Sequence, residues 1–206
     1  MSTATATAHP GAVLADLLPS PRLSASLELG GAAARVRDAA LVVGGAVLTG
    51  LAAQVAIPVP HSPVPVTGQT FAALLVGTAL GARRGFLSLA LYALAGVAGV
   101  PWFADGTSGA ASVTFGYILG MLLASAAVGA LARRGADRSP LRMAGTMILG
   151  EAIIYAVGVP YLALAAHLSL SQAVASGLTP FLIGDALKAA LAMGALPTAW
   201  KFAGKR

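Results

Sequence analysis

Apolar residues gather into six long stretches along this chain, at Ala39–Ile57, Thr67–Gly81, Gly85–Val100, Val113–Ala132, Met143–Val159 and Phe181–Thr198. A helix standing upright in a bilayer needs roughly 17–25 such residues. The pattern therefore predicts an all-α integral membrane protein with six transmembrane helices. The second and third stretches are short, which raises a re-entrant hairpin as an alternative. Its tip would be Ala82-Arg83-Arg84, and two arginines deep in hydrocarbon cost about 2.5–3.5 kcal/mol each on the lowest scales. Two short spans joined by a cytoplasmic Arg-Arg turn are cheaper.

Charge placement orients the spans. Arg22, Arg35 and Arg37 precede the first, Arg83 and Arg84 separate the second and third, Arg133, Arg134, Arg138 and Arg142 separate the fourth and fifth, and Lys201, Lys205 and Arg206 follow the sixth. The alternate loops, Pro58–Val66, Pro101–Ser112 and Pro160–Pro180, contain no Lys or Arg. Positive charge stays on the cytoplasmic side, so both termini are expected there and the three uncharged loops outside. Residues 1–37, rich in Ala, Ser, Thr and Pro, are expected to be a mostly disordered cytoplasmic tail with a short surface helix around Ala12–Leu18, and residues 38–206 the transmembrane domain. No basic stretch precedes an apolar run in that tail, so a cleaved signal peptide is not expected.

Composition agrees. Of the 206 residues 57% are hydrophobic and only 10% charged, against about a quarter charged in soluble domains. The net charge of +6 does not indicate a nucleic-acid partner, because the basic residues lie between apolar spans. With no cysteine, thiolate metal sites and cysteine nucleophiles are excluded. Neither a phosphate-binding GxxxxGK[ST] loop nor an HExxH metal motif occurs. Gly106-Thr-Ser108-Gly109 resembles the GxSG of rhomboid proteases, but such a serine needs a histidine base on a later helix. His9, His61 and His167 all lie outside the sixth stretch. No enzyme and no cofactor are expected; binding or transport remains.

Ionisable residues inside spans mark function. Asp185 and Lys188 share a helix face at i,i+3 and lie in the outer half of the sixth span, where carboxylate acceptors and ammonium donors suit a ligand with N–H groups and a carbonyl or carboxylate. Such a pair also serves as a plain internal ion pair. Glu151, alone in the fifth span, either hydrogen-bonds to a neighbouring helix or titrates as part of a coupling route. Thr67 caps the second helix or, with Gln69 and Thr70, faces a ligand. Trp102-Phe103 suits an interfacial anchor first and a ligand wall second. Small residues one turn apart, such as Ala40/Gly44 and Ala46/Gly50, let helices approach closely.

Three stretches carry a family resemblance. Pro63-Val-Pro-Val-Thr-Gly-Gln-Thr-Phe71 follows Ile57-Pro-Val-Pro; Leu80-Gly-Ala-Arg-Arg-Gly85 leads to Gly99-Val-Pro-Trp-Phe103; and Ser112-Val-Thr-Phe-Gly-Tyr-Ile-Leu-Gly120 precedes the Asp-x-x-Lys of the sixth helix. Together they resemble BioY proteins, the biotin-specific S components of energy-coupling factor transporters. In the third block Val113 stands where the family has Pro, and Phe115 replaces the first Gly of a Gly-Gly pair. The resemblance implies biotin uptake across a bacterial or archaeal cell membrane. It implies a vitamin pocket on the external side formed by Thr67, Gln69, Thr114, Gly116, Tyr117, Asp185 and Lys188. It also implies that small residues of the first helix, Ala40, Gly44 and Ala46, dock within the membrane lipid onto a transmembrane coupling protein served by two ABC-type ATPases. An ion-coupled secondary transporter of a small vitamin-like solute, using Glu151 or the Asp185/Lys188 pair, is the competing reading.

Overall fold

The computed structural model describes residues 11–18, 27–60 and 62–203. His9, Arg22, His61, Lys205 and Arg206 lie outside them, as does the tail at 1–10 and 19–26. The described residues form seven α-helices in order: α1 (Leu27–Ala53), α2 (Gln69–Leu80), α3 (Ala82–Val97), α4 (Phe115–Arg133), α5 (Pro140–Ala165), α6 (Leu170–Gly177) and α7 (Leu182–Ala203). The central helix is α4, packed against α2, α3 and α5; α1 lies on α2 and α3, and α7 on α5.

Among the described residues, four segments are long and apolar enough to cross a membrane: Gly31–Ala53, Phe115–Arg133, Pro140–Ala165 and Leu170–Ala203. The α2 and α3 helices have 12 and 16 residues, so they extend about 18 and 24 Å at 1.5 Å per residue. Both are shorter than a hydrocarbon core of about 30 Å.

Several boundaries move from those the apolar runs suggest. The α1 helix begins at Leu27, inside the stretch assigned to the tail, and stops at Ala53. Ala56–Ile57 (β1) then pairs antiparallel with Val66–Thr67 (β2). Pro58, Pro60, Pro63 and Pro65 cannot donate a backbone N–H and rule out helix between the two strands. Thr67 is thus in a strand, and α2 starts two residues later. The turn between α2 and α3 is Gly81 alone, with φ at +84°; the two arginines expected in that turn belong to the first turn of α3. The loop expected at Pro160–Pro180 is largely helical. The α5 helix runs through Pro160 to Ala165, and α6 follows a capping box in which Ser169 and Gln172 satisfy each other's backbone N–H groups.

Basic residues from separate elements converge at one end of the bundle. A short 3-10 turn at Leu14–Leu17 stands where a surface helix was expected, but Val13 and Ala15 beside and within it are buried against Leu41, Leu80 and Ala132. Arginines hold this segment by its backbone: Arg37 donates to Ala15 O at 2.6 Å, Arg133 to Gly11 O at 3.1 Å and Arg138 to Ala12 O at 3.3 Å. Arg84 pairs with Asp16 at 2.7 Å and Asp38 at 3.0 Å. Burial tends to raise the Asp16 carboxyl, but the hydrogen bonds and charge of Arg84 outweigh it and hold the group below its ordinary range. At the same end the buried Asp137 accepts the Trp200 indole N–H at 2.6 Å, and Arg138 lies over the Trp200 ring. Burial pushes the Asp137 carboxyl up, against that hydrogen bond.

Glycines set how closely the helices approach. Gly77, Gly85 and Gly129 meet where α2 turns into α3 against α4. A Cβ on Gly77 would lie 2.7 Å from the Ser125 Cα, and one on Gly85 2.7 Å from the Gly77 Cα. At the opposite end the Gln54 amide closes α1, donating to Gly50 O and to the carbonyls of Trp102 and Phe103 at 3.0–3.2 Å.

Candidate functional site

Asp185 and Lys188 stand in the first two turns of α7, and the i,i+3 spacing brings them together as expected. Lys188 Nζ donates to Asp185 Oδ1 at 3.0 Å and to Thr70 Oγ1 at 2.8 Å. Tyr155, on α5, donates its hydroxyl to Asp185 Oδ2. The Lys188 and Asp185 side chains are only 13% and 10% exposed. Three helices thus contribute one hydrogen-bonded group, and α2 takes part because starting at Gln69 puts Thr70 in its first turn. Lys188 lies six residues past the start of α7, about 9 Å along the helix. Tyr155 was missed at the sequence level; only its hydroxyl in an apolar span pointed to it.

These residues form one wall of a narrow cavity of about 50 Å³ beneath the loops. Thr67, Gln69, Thr114 and Tyr117 also line it, with Val64, Phe103, Met121 and Phe181 as apolar surface. Six of the seven expected ligand residues are therefore brought together. Thr67 Oγ1 accepts the Gln69 backbone N–H at 3.3 Å, so it serves the start of α2 while facing the cavity. The Gln69 amide nitrogen is buried and has no partner among the described residues, which leaves a donor free for a ligand acceptor. Thr114 is bonded to Ser112 at 2.8 Å, and Tyr117 donates to Gly177 O at 2.7 Å, tying α4 to the end of α6.

Gly116 is the exception. It lies off the cavity against the Tyr161 side chain, where a Cβ would meet the ring carbon Cγ at 2.5 Å. Its role is to let α4 and α5 close on that tyrosine. Phe115, where this chain departs from the family pattern, packs between Phe103 and Tyr161 with ring centroids 6.3 and 6.4 Å away. The departure falls on the layer behind the cavity.

Trp102 and Phe103 are not an interfacial anchor. Phe103 is 2% exposed, edge-on to Tyr92, and the Trp102 indole donates to Tyr92 O at 3.0 Å. A glycine at 96 admits the Phe103 ring against α3. The aromatic pair forms a wall, with Phe103 reaching the cavity. Ser108 of the GTSG stretch is exposed on a loop, and His167 is exposed after α5.

On the other side of Tyr155 and Asp185 lies a groove of about 850 Å³ between α5, α6 and α7, lined chiefly by Ala, Leu, Met and Val and including Glu151. Tyr155 and Asp185 separate it from the cavity, since both line each space.

The docking candidates on α1 divide. Ala40 and Gly44 are exposed, on a stripe with Val36, Val43, Val47, Leu48 and Leu51, but Ala46 is fully buried. Helical rotation of about 100° per residue carries position 46 to the face opposite Gly44, so Ala46 belongs to the bundle core with Gly45 and Thr49.

Residues 24–205 match the model of the BioY family. A probable biotin transporter of Pyrococcus horikoshii is 32% identical over 162 residues, covering 77% of this chain and 93% of that protein. A biotin transporter of Lactococcus lactis is 36% identical over 154 residues, covering 73% and 83%, and one of Thermotoga maritima is 35% identical over 139 residues, covering 66% and 80%. Among solved structures, the S-component for biotin from an ECF-type ABC transporter superposes with a TM-score of 0.73 over 86% of this chain and 95% of that one. Its 20% identity speaks to the fold alone. These relatives are named as transporters and not as enzymes, and the chain belongs to the BioY family.

Proposed function

We propose that this chain carries biotin across the cell membrane, binding it from the external side as the substrate-binding subunit of an energy-coupling factor transporter. The observation that carries the reading is the Asp185–Lys188–Thr70–Tyr155 group on the wall of the cavity. Biotin brings a ureido group with two N–H donors and a carbonyl, a carboxylate, and an apolar ring. Asp185 accepts from the ureido N–H, Gln69 and Lys188 donate to carbonyl or carboxylate oxygens, and Phe103, Tyr117 and Phe181 cover the ring. A cavity of about 50 Å³ is far below the roughly 300–1,000 Å³ of small-molecule sites. Binding therefore opens the loops above it, through the glycine-rich stretch at 106–109 and the hairpin that Ser62 ties to Ser176 O at 2.8 Å. Calorimetric titration of the detergent-purified protein with biotin, after removal of co-purified ligand, is expected to show tight, stoichiometric binding. No heat from a folded sample would refute the assignment.

In the same reading six helices span the membrane, α6 lying in the last external connection. Both termini are cytoplasmic, and the transmembrane domain, expected from residue 38, begins with the Gly31–Ala53 segment of α1. A coupling protein served by two ATPases docks on the exposed α1 stripe around Ala40 and Gly44. Support comes from the arginine-rich end of the bundle and from the stripe's exposure. The chain has no cysteine, which permits one labelling experiment on single cysteines at Ser108, Arg138 and Gly44 in intact cells. Ser108→Cys should react with an impermeant maleimide from outside, and Arg138→Cys only after permeabilisation. Gly44→Cys should be shielded when the coupling protein is co-expressed. The reverse order of accessibility rejects the topology, and an unshielded Gly44→Cys rejects the docking face.

A further inference from the structure

A further groove, of about 390 Å³, lies between α1 and α3 and shares no residue with the candidate ligand cavity. Its two ends differ. At one end stand Arg83 and Arg84, in the first turn of α3, and Asp38 of α1; the rest is lined by Ala39, Val42 and a run of apolar residues on α3. Leu87, Leu91 and Leu94 follow one another at four and three residues, which puts them on one face of α3, and all three are exposed. From Arg83 to Leu94 is eleven residues, about 16 Å of helix. One leaflet's half of the hydrocarbon core is about 15 Å.

The charged end carries surplus positive charge. Arg84 is held by Asp16 at 2.7 Å and by Asp38 at 3.0 Å, so the Asp38 carboxylate already has its cation. Arg83 is exposed and makes no ion pair among the described residues. Arg37 and Arg133, which hold residues 11–18 by their backbone, stand at the same end, so four arginines there meet two aspartates. A guanidinium pairs with phosphate oxygens through two parallel N–H groups. The groove stops at Leu94 on α3 and Val42 on α1, as a chain confined to one leaflet does; a partner's spanning helix would run on beyond both.

We propose that the α1–α3 groove binds one phospholipid of net negative charge, its phosphate on Arg83 and one acyl chain along Leu87, Leu91 and Leu94. In the orientation proposed above this is the cytoplasmic leaflet, where anionic lipids lie; the choice of leaflet alone rests on that reading. Arg84, fixed by its two aspartates, keeps Asp38 from repelling the headgroup.

The test is native mass spectrometry of the purified full-length protein in detergent, titrated with phosphatidylglycerol or phosphatidylcholine of the same acyl chains, for wild type, Arg83→Gln and Ala39→Trp. Wild type is expected to keep one phosphatidylglycerol with about fivefold preference over phosphatidylcholine, the share of one arginine at a membrane surface. Arg83→Gln should lose the preference. Ala39→Trp, which fills the groove and leaves every charge in place, should keep neither lipid. Equal retention of the two lipids by wild type, a preference that persists in Arg83→Gln, or undiminished retention in Ala39→Trp overturns the proposal. So does displacement of the lipid by an equimolar amount of inorganic phosphate, which would mark a soluble-anion site. A wild type indifferent to lipid, whose Arg83→Gln variant no longer co-purifies with the coupling protein, assigns the groove to protein docking instead. Both substituted positions are exposed, and biotin titration of the same three samples, expected to be identical, shows that they are folded. Should wild type not bind biotin, equal melting temperatures serve that purpose, and the lipid result stands apart from the biotin assignment.

Discussion

Replacing Asp185 by Asn is expected to weaken biotin binding by roughly 30-fold to a few thousandfold, corresponding to about 2–5 kcal/mol for truncating one partner of a buried hydrogen-bonded charge pair. The carboxylate has two duties at once: it neutralises Lys188 at 3.0 Å and accepts the Tyr155 hydroxyl. An amide in its place keeps the shape, removes the charge, and offers an N–H where the ligand also brings one. Lys188→Ala should lose a similar amount, because it leaves the Asp185 carboxylate buried without its counter-charge and Tyr155 supplies only a neutral donor. Both variants should remain folded, since the cluster sits at the cavity wall and not in the close-packed α2–α3–α4 node. Calorimetric affinity beside a thermal-unfolding curve separates the two effects. Near-native affinity in both variants would reject this site and not the fold.

The largest effect on stability is expected at Gly77. Its Cα side faces the Ser125 backbone with no room for a Cβ, and the Gly85 backbone closes the space from α3. Gly77→Ala must push α2 away from α4, and overpacking of that kind costs about 1–3 kcal/mol. Gly77→Leu should not yield folded protein, because the obstacle is backbone and cannot rotate away. Gly194, on α7, has nothing within 4 Å of a would-be Cβ. Gly194→Ala is therefore the control: neutral or slightly stabilising, since alanine has the better helix propensity. Thermal unfolding in detergent reads all three. Equal melting temperatures for Gly77→Ala and wild type would mean that the α2–α4 contact is looser than described.

The residues with most to do at the site were legible for a simple reason. Charge in an apolar span is expensive and therefore rare, so Asp185 and Lys188 stand out, and their spacing alone puts them on one helix face. Thr67, Gln69, Thr114 and Tyr117 came from family motifs, and the cavity brings them beside that pair. Tyr155 was not legible, because a tyrosine in an apolar helix looks like core until α7 is known to lie beside α5. Gly116 shows a packing duty that the motif does not reveal. The motif reads as a ligand contact, and the structure adds that its missing side chain admits Tyr161.

What the chain's linear order determined by itself was helix-forming apolar stretches, the one-sided placement of Arg and Lys, and the local pairing of Asp185 with Lys188. All three depend on composition or on contacts within a few residues. Tertiary structure decided that Ala56–Ile57 and Val66–Thr67 pair as strands, taking Ala56, Ile57 and Thr67 out of the first two apolar runs, and that α5 continues through Pro160, because those outcomes depend on what each segment packs against. It also decided which face of α1 is free, turning Ala46 inward and leaving Gly44 exposed. Finally, it set the buried Glu151 of α5 beside Asp185 of α7 in the lining of one groove. That arrangement depends on how α5 packs against α7, which no local pattern encodes.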